Sequence, residues 1–249
     1  MTAASIAVAA SAEPGDIGDR IETIDWQRVG AELDARGWAQ MGGLLDRADC
    51  DALIEAYTDH DRYRSTVVMS RHNFGRGEYR YYRYPLPAVV DALRTRCYDK
   101  LVVTANRWAE RLALPIRYPT SLGGMLERCR DAGQMRPTPL ILRYAEGDYN
   151  CLHQDLYGPV SFPLQLAVLL SEPREDFAGG ELVLTEQRPR MQSRVHVVPL
   201  ARGQGVVFAG NLRPVQGRRG DHRVTMRHGV SSIRHGQRYT LGVIFHDAV

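Results

Sequence analysis

Lysine is nearly absent from this 249-residue chain: Lys100 stands alone, and every other one of the 32 basic residues is arginine. So lopsided a ratio reflects the coding bias of a GC-rich genome better than selection for phosphate. With a formal net charge of only +3, the arginine content by itself carries no nucleic-acid signal. Cysteine is scarce as well. Cys50, Cys97, Cys129 and Cys151 are widely spaced and none forms Cys-x-x-Cys, which argues against a zinc knuckle and against a disulfide framework. Three of them fall on apolar helical faces as small core residues, and a reducing, cytoplasmic compartment is expected. No apolar run approaches a membrane span, so no membrane contact is expected. Met1–Glu13 lacks a basic start and a long apolar block, which argues against a secretory leader. Internal repeats and low-complexity linkers are missing too.

What is present divides into two styles. Residues 1–19 read as a flexible tail and 20–249 as a single domain, with 20–136 mainly helical support and 137–249 a β core. In the first part Asp25 is placed to cap a helix carrying Trp26, Val29 and Leu33, with Gly37 to stop it. Trp38–Leu45 reads as a strand. Asp46 then caps a helix with Cys50, Leu53, Ile54 and Tyr57 at i, i+3, i+4 and i+7. A long helix is predicted after Pro87, and another over Leu122–Cys129, ended near Gly133. From Thr138 onward come short β-rich runs: Pro139–Tyr144, Phe162–Leu170, Gly180–Thr185, Val195–Leu200, Gly205–Ala209, Arg223–Val230 and Arg238–His246. The fold class expected is α+β: a double-stranded β-helix (jelly roll) braced by N-terminal helices. In the last run Tyr239, Leu241, Val243 and Phe245 alternate with Arg238, Thr240 and Gly242. That fits a sheet whose apolar face packs on helices and whose polar face lines a site.

The chemistry centres on His153-x-Asp155. Residues two apart on an extended segment share a face, as two ligands of one metal ion must. A third ligand is sought among His196, His222, His228, His235 and His246. His228 is preferred because Arg238 follows ten residues later, with room for one turn between neighbouring antiparallel strands; His222 is the rival. Two imidazoles and one carboxylate leave open positions and suit non-heme Fe(II), although Zn, Mn, Co and Ni also enter such sites. A buried arginine beyond the second histidine is placed to hold the carboxylate of a co-substrate, since a guanidinium meets a carboxylate in a two-pronged bond and keeps its charge when buried.

With Tyr144, Gly179-Gly180-Glu181-Leu182 and Pro199…Gly203-x-Gly205-Val206-Val207-Phe208, these residues resemble the 2-oxoglutarate- and Fe(II)-dependent dioxygenases, in the prolyl-4-hydroxylase-like subgroup. The runs Cys151–Gly158, Leu184–Ser193 and Phe245–Ala248 are similar to a bacterial oxygenase family labelled as repairing alkylated DNA by oxidative demethylation. The resemblance implies that His153, Asp155 and His228 bind Fe(II). It implies that Arg238, helped by Tyr144 and Thr240, takes the C5 carboxylate of 2-oxoglutarate, and that O2 is the oxidant. Prolyl hydroxylases often carry lysine where Arg238 stands. Tyr144 as an ordinary core tyrosine and Thr240 as an ordinary strand residue are the competing readings.

The substrate clue is Arg62–Pro87, where arginines alternate with Tyr63, Phe74, Tyr79, Tyr81, Tyr82 and Tyr84, and Glu78 is the sole acid. That composition suits single-stranded or flipped nucleic acid. The competing reading is a β-hairpin with its aromatics in the core and its arginines in solvent. Asn211–Gly220 reads as a mobile loop beside the site. Substrate contacts are therefore expected from Arg76, Tyr79, Arg80, Tyr82 and Arg213. Three functions stand open: an oxygenase on nucleic acid, an oxygenase on a protein side chain or small metabolite, and a metal-binding jelly roll without turnover.

Overall fold

The computed structural model describes residues 16–218 and 220–249. The expected tail thus falls outside the described residues up to position 15. Its last residues belong to helix α1 (Ile17–Glu22), where Ile21 is fully buried and Arg20 pairs with Asp49 at 2.7 Å. Four more helices follow: α2 (Trp26–Arg36), α3 (Arg47–Glu55), α4 (Ala88–Arg111) and α5 (Leu122–Asp131). The strands are β1 (Trp38–Gly43), β2 (Tyr63–Val68), β3 (Gly75–Arg76), β4 (Glu78–Tyr82), β5 (Leu140–Tyr144), β6 (Tyr149–His153), β7 (Leu164–Leu169), β8 (Phe177–Gly179), β9 (Leu182–Gln187), β10 (Arg194–Val198), β11 (Gln204–Ala209), β12 (Leu212–Gly217), β13 (Gly220–Val230), β14 (Ile233–Gly236) and β15 (Arg238–Ile244).

Local signals set the helix ends. The Asp25 carboxylate accepts the Arg28 amide at 2.8 Å, and Asp46 forms a capping box with Asp49. Gly37 closes α2 with φ of 80°, and a Cβ there would also lie 2.6 Å from the Arg213 side chain. In α4, Val90, Leu93, Cys97, Leu101, Ala105 and Trp108 form one buried stripe.

Two antiparallel sheets face each other. The larger runs β1-β11-β7-β15-β5-β4-β2 and the smaller β10-β9-β13-β6-β3, with β12 beside β13. Helices α2, α4 and α5 share one hydrophobic cluster with Leu241, Val243 and Phe245. The opposite face of β15 looks between the sheets. Complete burial of each such aliphatic side chain is worth about 1.5–3 kcal/mol, so the helical layer is what fixes which face of β15 turns inward.

The C-terminal run is a fastening. Arg94 of α4 donates to the Ile244 carbonyl and pairs with Asp247, both at 2.8 Å, with the pair almost fully buried. Gln134 reaches the Asp247 carbonyl and bridges both polar groups of the Val160 backbone. His246 is 2% exposed and accepts the Phe162 amide through Nδ1. Burial, then the nearby Arg94 charge, pushes its pKa down to about 4, against a weaker pull from Asp155. Its folded value is therefore below its unfolded one, so stability is complete above the unfolded pKa and falls as pH drops from about 6.5 toward 4. At pH 5 the loss is expected to reach roughly 2 kcal/mol. Denaturant titrations at pH 7.5 and pH 5 check this: His246→Gln should show a smaller difference between the two than the wild type. Equal differences would remove His246 as the cause.

Asn211–Gly220 corrects the sequence reading. Apart from Arg219, which lies outside the described residues, it is no loop: Leu212 through Gly217 pair in register with Thr225 through Gly220. The strand was hidden because its inward residue is charged. Arg213 is 1% exposed, ion-paired to Glu186 and bonded to the Asp34 and Ala35 carbonyls at the end of α2. Apolar alternation cannot reveal such a strand.

Candidate metal centre

His153 is the last residue of β6, and Asp155 sits two residues further on, in a loop. His228 lies on β13 directly opposite His153 in the antiparallel register, with ring centroids 4.2 Å apart. The strands approach closely here because residue 229 is glycine; a Cβ on it would lie 2.7 Å from the Asn150 carbonyl oxygen. His228 Nε2 is 3.1 Å from Asp155 Oδ2, and His153 Nε2 is 3.5 Å from Asp155 Oδ1. One ligand atom from each of the three lies within 4.8 Å of the others. His153 Nδ1 faces the Cys151 carbonyl at 2.7 Å, a bond that places the proton on Nδ1 and leaves the Nε2 lone pair free.

Electrostatics favours the ligating forms of Asp155 and His228; at His153 burial works to lower the imidazole, but the bond to Asp155 and its charge raise it above its ordinary value. Burial works to raise the Asp155 carboxyl, but the two histidines hold it well below the usual carboxylate range. Burial lowers His228, outweighing the attraction of Asp155. A deprotonated carboxylate and a neutral imidazole are what a metal ion requires. The donor set, two nitrogens and one oxygen from one side, fits a divalent first-row metal with open positions.

The three residues border a cavity of about 280 Å³ between the sheets. At its inner end Arg238 of β15 is paired in register with Tyr144 of β5. Arg238 is 3% exposed, donates to Thr240 at 2.5 Å, leaves Nε without a partner, and has no carboxylate in ion-pair range among the described residues. Burial lowers its pKa to about 10, still far above neutrality. A buried cation facing open space fits a carboxylate ligand. Gly180 makes room for it, since a Cβ there would lie 2.9 Å from Arg238 Cδ. Burial pushes the Tyr144 phenol up, and Asn150 donates to its oxygen at 3.2 Å. The alternation read in β15 holds: Arg238, Thr240, Gly242 and Ile244 line the cavity.

The other histidines go elsewhere. His222 pairs with Val215, six residues along β13 from His228, about 20 Å at strand rise. His196 packs edge-on against Trp38, and His235 is exposed beside Glu146.

The substrate expectations divide by strand parity. On β4, Tyr79 and Tyr81 point into the cavity. Arg80 and Tyr82, one residue out of phase, point to the other side. Arg80 bonds the Tyr57 carbonyl at 2.7 Å and lies over the Tyr57 ring, while Tyr82 is fully buried, stacked on Tyr63 at 5.0 Å. Arg80, Tyr82 and Arg213 are therefore structural, and the expectation that they touch substrate is corrected. Arg76, on β3 opposite Tyr149, keeps an exposed side chain. The hairpin reading of Arg62–Pro87 holds for its buried aromatics and fails for Arg80.

Sequence reasoning missed Tyr157 and Gln154, and named Phe74 only as one of the aromatics of the substrate segment. The Tyr157 hydroxyl donates to Asp155 Oδ1 at 2.8 Å. Gln154 ties the Asp155 loop to Asn211 and to the Met226 carbonyl at 2.7 and 2.8 Å. Phe74, 48% exposed, forms part of the cavity rim. Tyr157 had a signal: His153, Asp155 and Tyr157 continue one every-second-residue pattern.

Comparison with known proteins adds three findings. The Oxygenase-NA family, described as an oxygenase catalysing oxidative methylation of damaged DNA, has a sequence model that matches residues 77–248. Two uncharacterized proteins from strains of Mycobacterium tuberculosis are each 47% identical over 164 residues, 66% of this chain and 70% of theirs. The fold is similar to that of a Pseudomonas putida prolyl-4-hydroxylase, with TM-score 0.52 and 16% identity over 87% of this chain and 96% of that one. It is likewise similar to an oxidoreductase of the 2OG-Fe(II) oxygenase family from Burkholderia pseudomallei, with TM-score 0.52 and 16% identity over 90% and 93%.

Proposed function

The chain belongs to the Oxygenase-NA family, and we propose that it is an Fe(II)- and 2-oxoglutarate-dependent dioxygenase that oxidises an N-alkyl group on a nucleic-acid base. The observation that carries the reading is one cavity holding both halves of the required chemistry: the His153, Asp155, His228 cluster and the buried Arg238, which has no carboxylate in ion-pair range among the described residues. Iron, 2-oxoglutarate and O2 when bound supply oxidation of a substrate C–H bond, with succinate and CO2 released. The protein's own part is to aim and to exclude water. His153, Asp155 and His228 hold the metal from one side, Arg238 and Thr240 take the far carboxylate of 2-oxoglutarate, and Tyr144 donates a hydrogen bond beside them. Hydroxylation of an N-methyl carbon leaves an unstable product that releases formaldehyde.

The family description and the aromatic outer cavity, with Phe74, Tyr79, Tyr81 and Tyr157, support a planar base as the group presented. The exposed side chain of Arg76, on β3 beside β6, suits a phosphate. A second reading has its own support: among the described residues Arg238 is the sole guanidinium lining the cavity, so a protein side chain or small metabolite with an apolar group also fits.

The test is turnover of methylated single-stranded oligonucleotides with Fe(II), 2-oxoglutarate and O2. Formaldehyde should appear in step with succinate. Succinate without formaldehyde, alongside coupled turnover of a peptide or metabolite, would transfer the assignment to the second reading. No succinate with any substrate, metal being bound, would leave a binding module.

A further inference from the structure

Asp155 differs from its two partner residues in its support. His153 and His228 stand on hydrogen-bonded strands, whereas Asp155 lies beyond the end of β6 in a segment without regular structure. A carboxylate on a loop turns freely unless something holds it, and a metal site needs ligand oxygens held to a fraction of an ångström. The Tyr157 hydroxyl meets that need, donating to Asp155 Oδ1 at 2.8 Å while Oδ2 faces His228. A carboxylate is acceptor-only, so the proton of that bond belongs to Tyr157. The Tyr157 oxygen in turn accepts from the Tyr81 hydroxyl at 3.1 Å, and the two rings meet edge to face at 6.1 Å.

Both ends of this chain are braced. Tyr157 has its carbonyl bonded by the Val249 amide, its ring against His246, and the following segment clamped by Gln134 through both polar groups of Val160. Tyr81 stands on β4, with the Arg64 guanidinium 4.3 Å over its ring and Tyr79 edge-on at 5.3 Å. Tyr81, Tyr157 and Asp155 all line the cavity.

We infer that Tyr157 is a positioning residue for the metal centre, orienting the Asp155 carboxylate through a Tyr81–Tyr157–Asp155 hydrogen-bond relay. The inference rests on the metal-centre reading above. Its consequence is that a substrate group entering the outer cavity touches the same two phenols that orient a metal ligand.

The test is Mn(II) binding to metal-free protein, followed by the loss of the free Mn(II) EPR signal, for the wild type, Asp155→Ala, Tyr157→Phe, Tyr81→Phe and the Tyr81→Phe/Tyr157→Phe pair. Phenylalanine keeps both rings, and equal melting temperatures check that the fold is retained. Tyr157→Phe is expected to weaken Mn(II) roughly 10–100-fold, the usual effect of losing an outer partner of a ligand. Tyr81→Phe should weaken it less, and the double variant should be no worse than Tyr157→Phe alone, because residues acting in one chain are not additive. Tyr157→Phe affinity within twofold of the wild type would overturn the inference while leaving the metal centre intact, provided Asp155→Ala still abolishes binding. Strictly additive effects would overturn the relay. Wild-type protein that binds no Mn(II), or binds it equally in Asp155→Ala, would overturn the metal-centre reading and the inference with it.

Discussion

Replacing His228 by alanine is expected to reduce metal-dependent succinate formation to background, while His222→Ala retains most of it. Two ligands would remain, and the Asp155 carboxylate would lose the imidazole 3.1 Å from Oδ2. The effect should exceed the roughly 10–100-fold that loss of an outer partner costs, because a coordinating atom itself is gone. The paired substitution makes the result interpretable. Both histidines stand on β13, but His222 faces Val215 near the far end of the hairpin. A general disturbance of the strand would affect both variants alike. Metal affinity and succinate release should fall together in His228→Ala. If His222→Ala abolished turnover and His228→Ala did not, the centre proposed between β6 and β13 would be wrong.

Arg238→Met is expected to raise the 2-oxoglutarate requirement by roughly 30- to 5,000-fold, the range corresponding to about 2–5 kcal/mol for truncating one member of a buried charge pair. The same substitution should leave the ligand-free protein as stable as the wild type, or more so. In the ligand-free state Arg238 is a buried cation bonded to Thr240 with no carboxylate in reach among the described residues. A buried charge without a partner is a burden that an apolar side chain of similar length lacks. Two measurements therefore move in opposite directions. Melting temperature without ligand should hold or rise, whereas stabilisation by added 2-oxoglutarate with Mn(II), clear in the wild type, should vanish at the same concentrations. Arg238→Lys keeps the charge but loses the fork, and should fall between. An unchanged 2-oxoglutarate KM in Arg238→Met would exclude Arg238 as the anchor.

Legibility in the sequence followed the range of the interaction. The caps at Asp25 and Asp46 and the stop at Gly37 act over three or four residues, and each reads correctly. The stripe of α4 and the alternation of β15 repeat often enough to announce their faces. Tyr79 and Tyr82 show where this ends. Both sit in one aromatic, arginine-rich segment, and composition alone cannot say which parity of β4 turns to the cavity. Arg213 shows the same limit, since a buried ion pair with Glu186 looks, in sequence, like an exposed charge, and with it the strand it belongs to looks like a loop.

The sequence by itself therefore determined the residue types of the candidate centre, the His153-x-Asp155 spacing, the polar face of β15 and the α+β fold class, but not that β1 to β4 of the N-terminal part join the two main sheets. Tertiary structure alone decided that Arg80 and Tyr82 turn away from the cavity, and that Tyr157 reaches Asp155 with Tyr81 behind it. The reason is one of distance. Caps and periodicities are settled between near neighbours in the chain. Ligands and hydrogen-bond partners must meet within about 3 Å, and which residues do so depends on the register of strands far apart in sequence, set by the packing of the whole core.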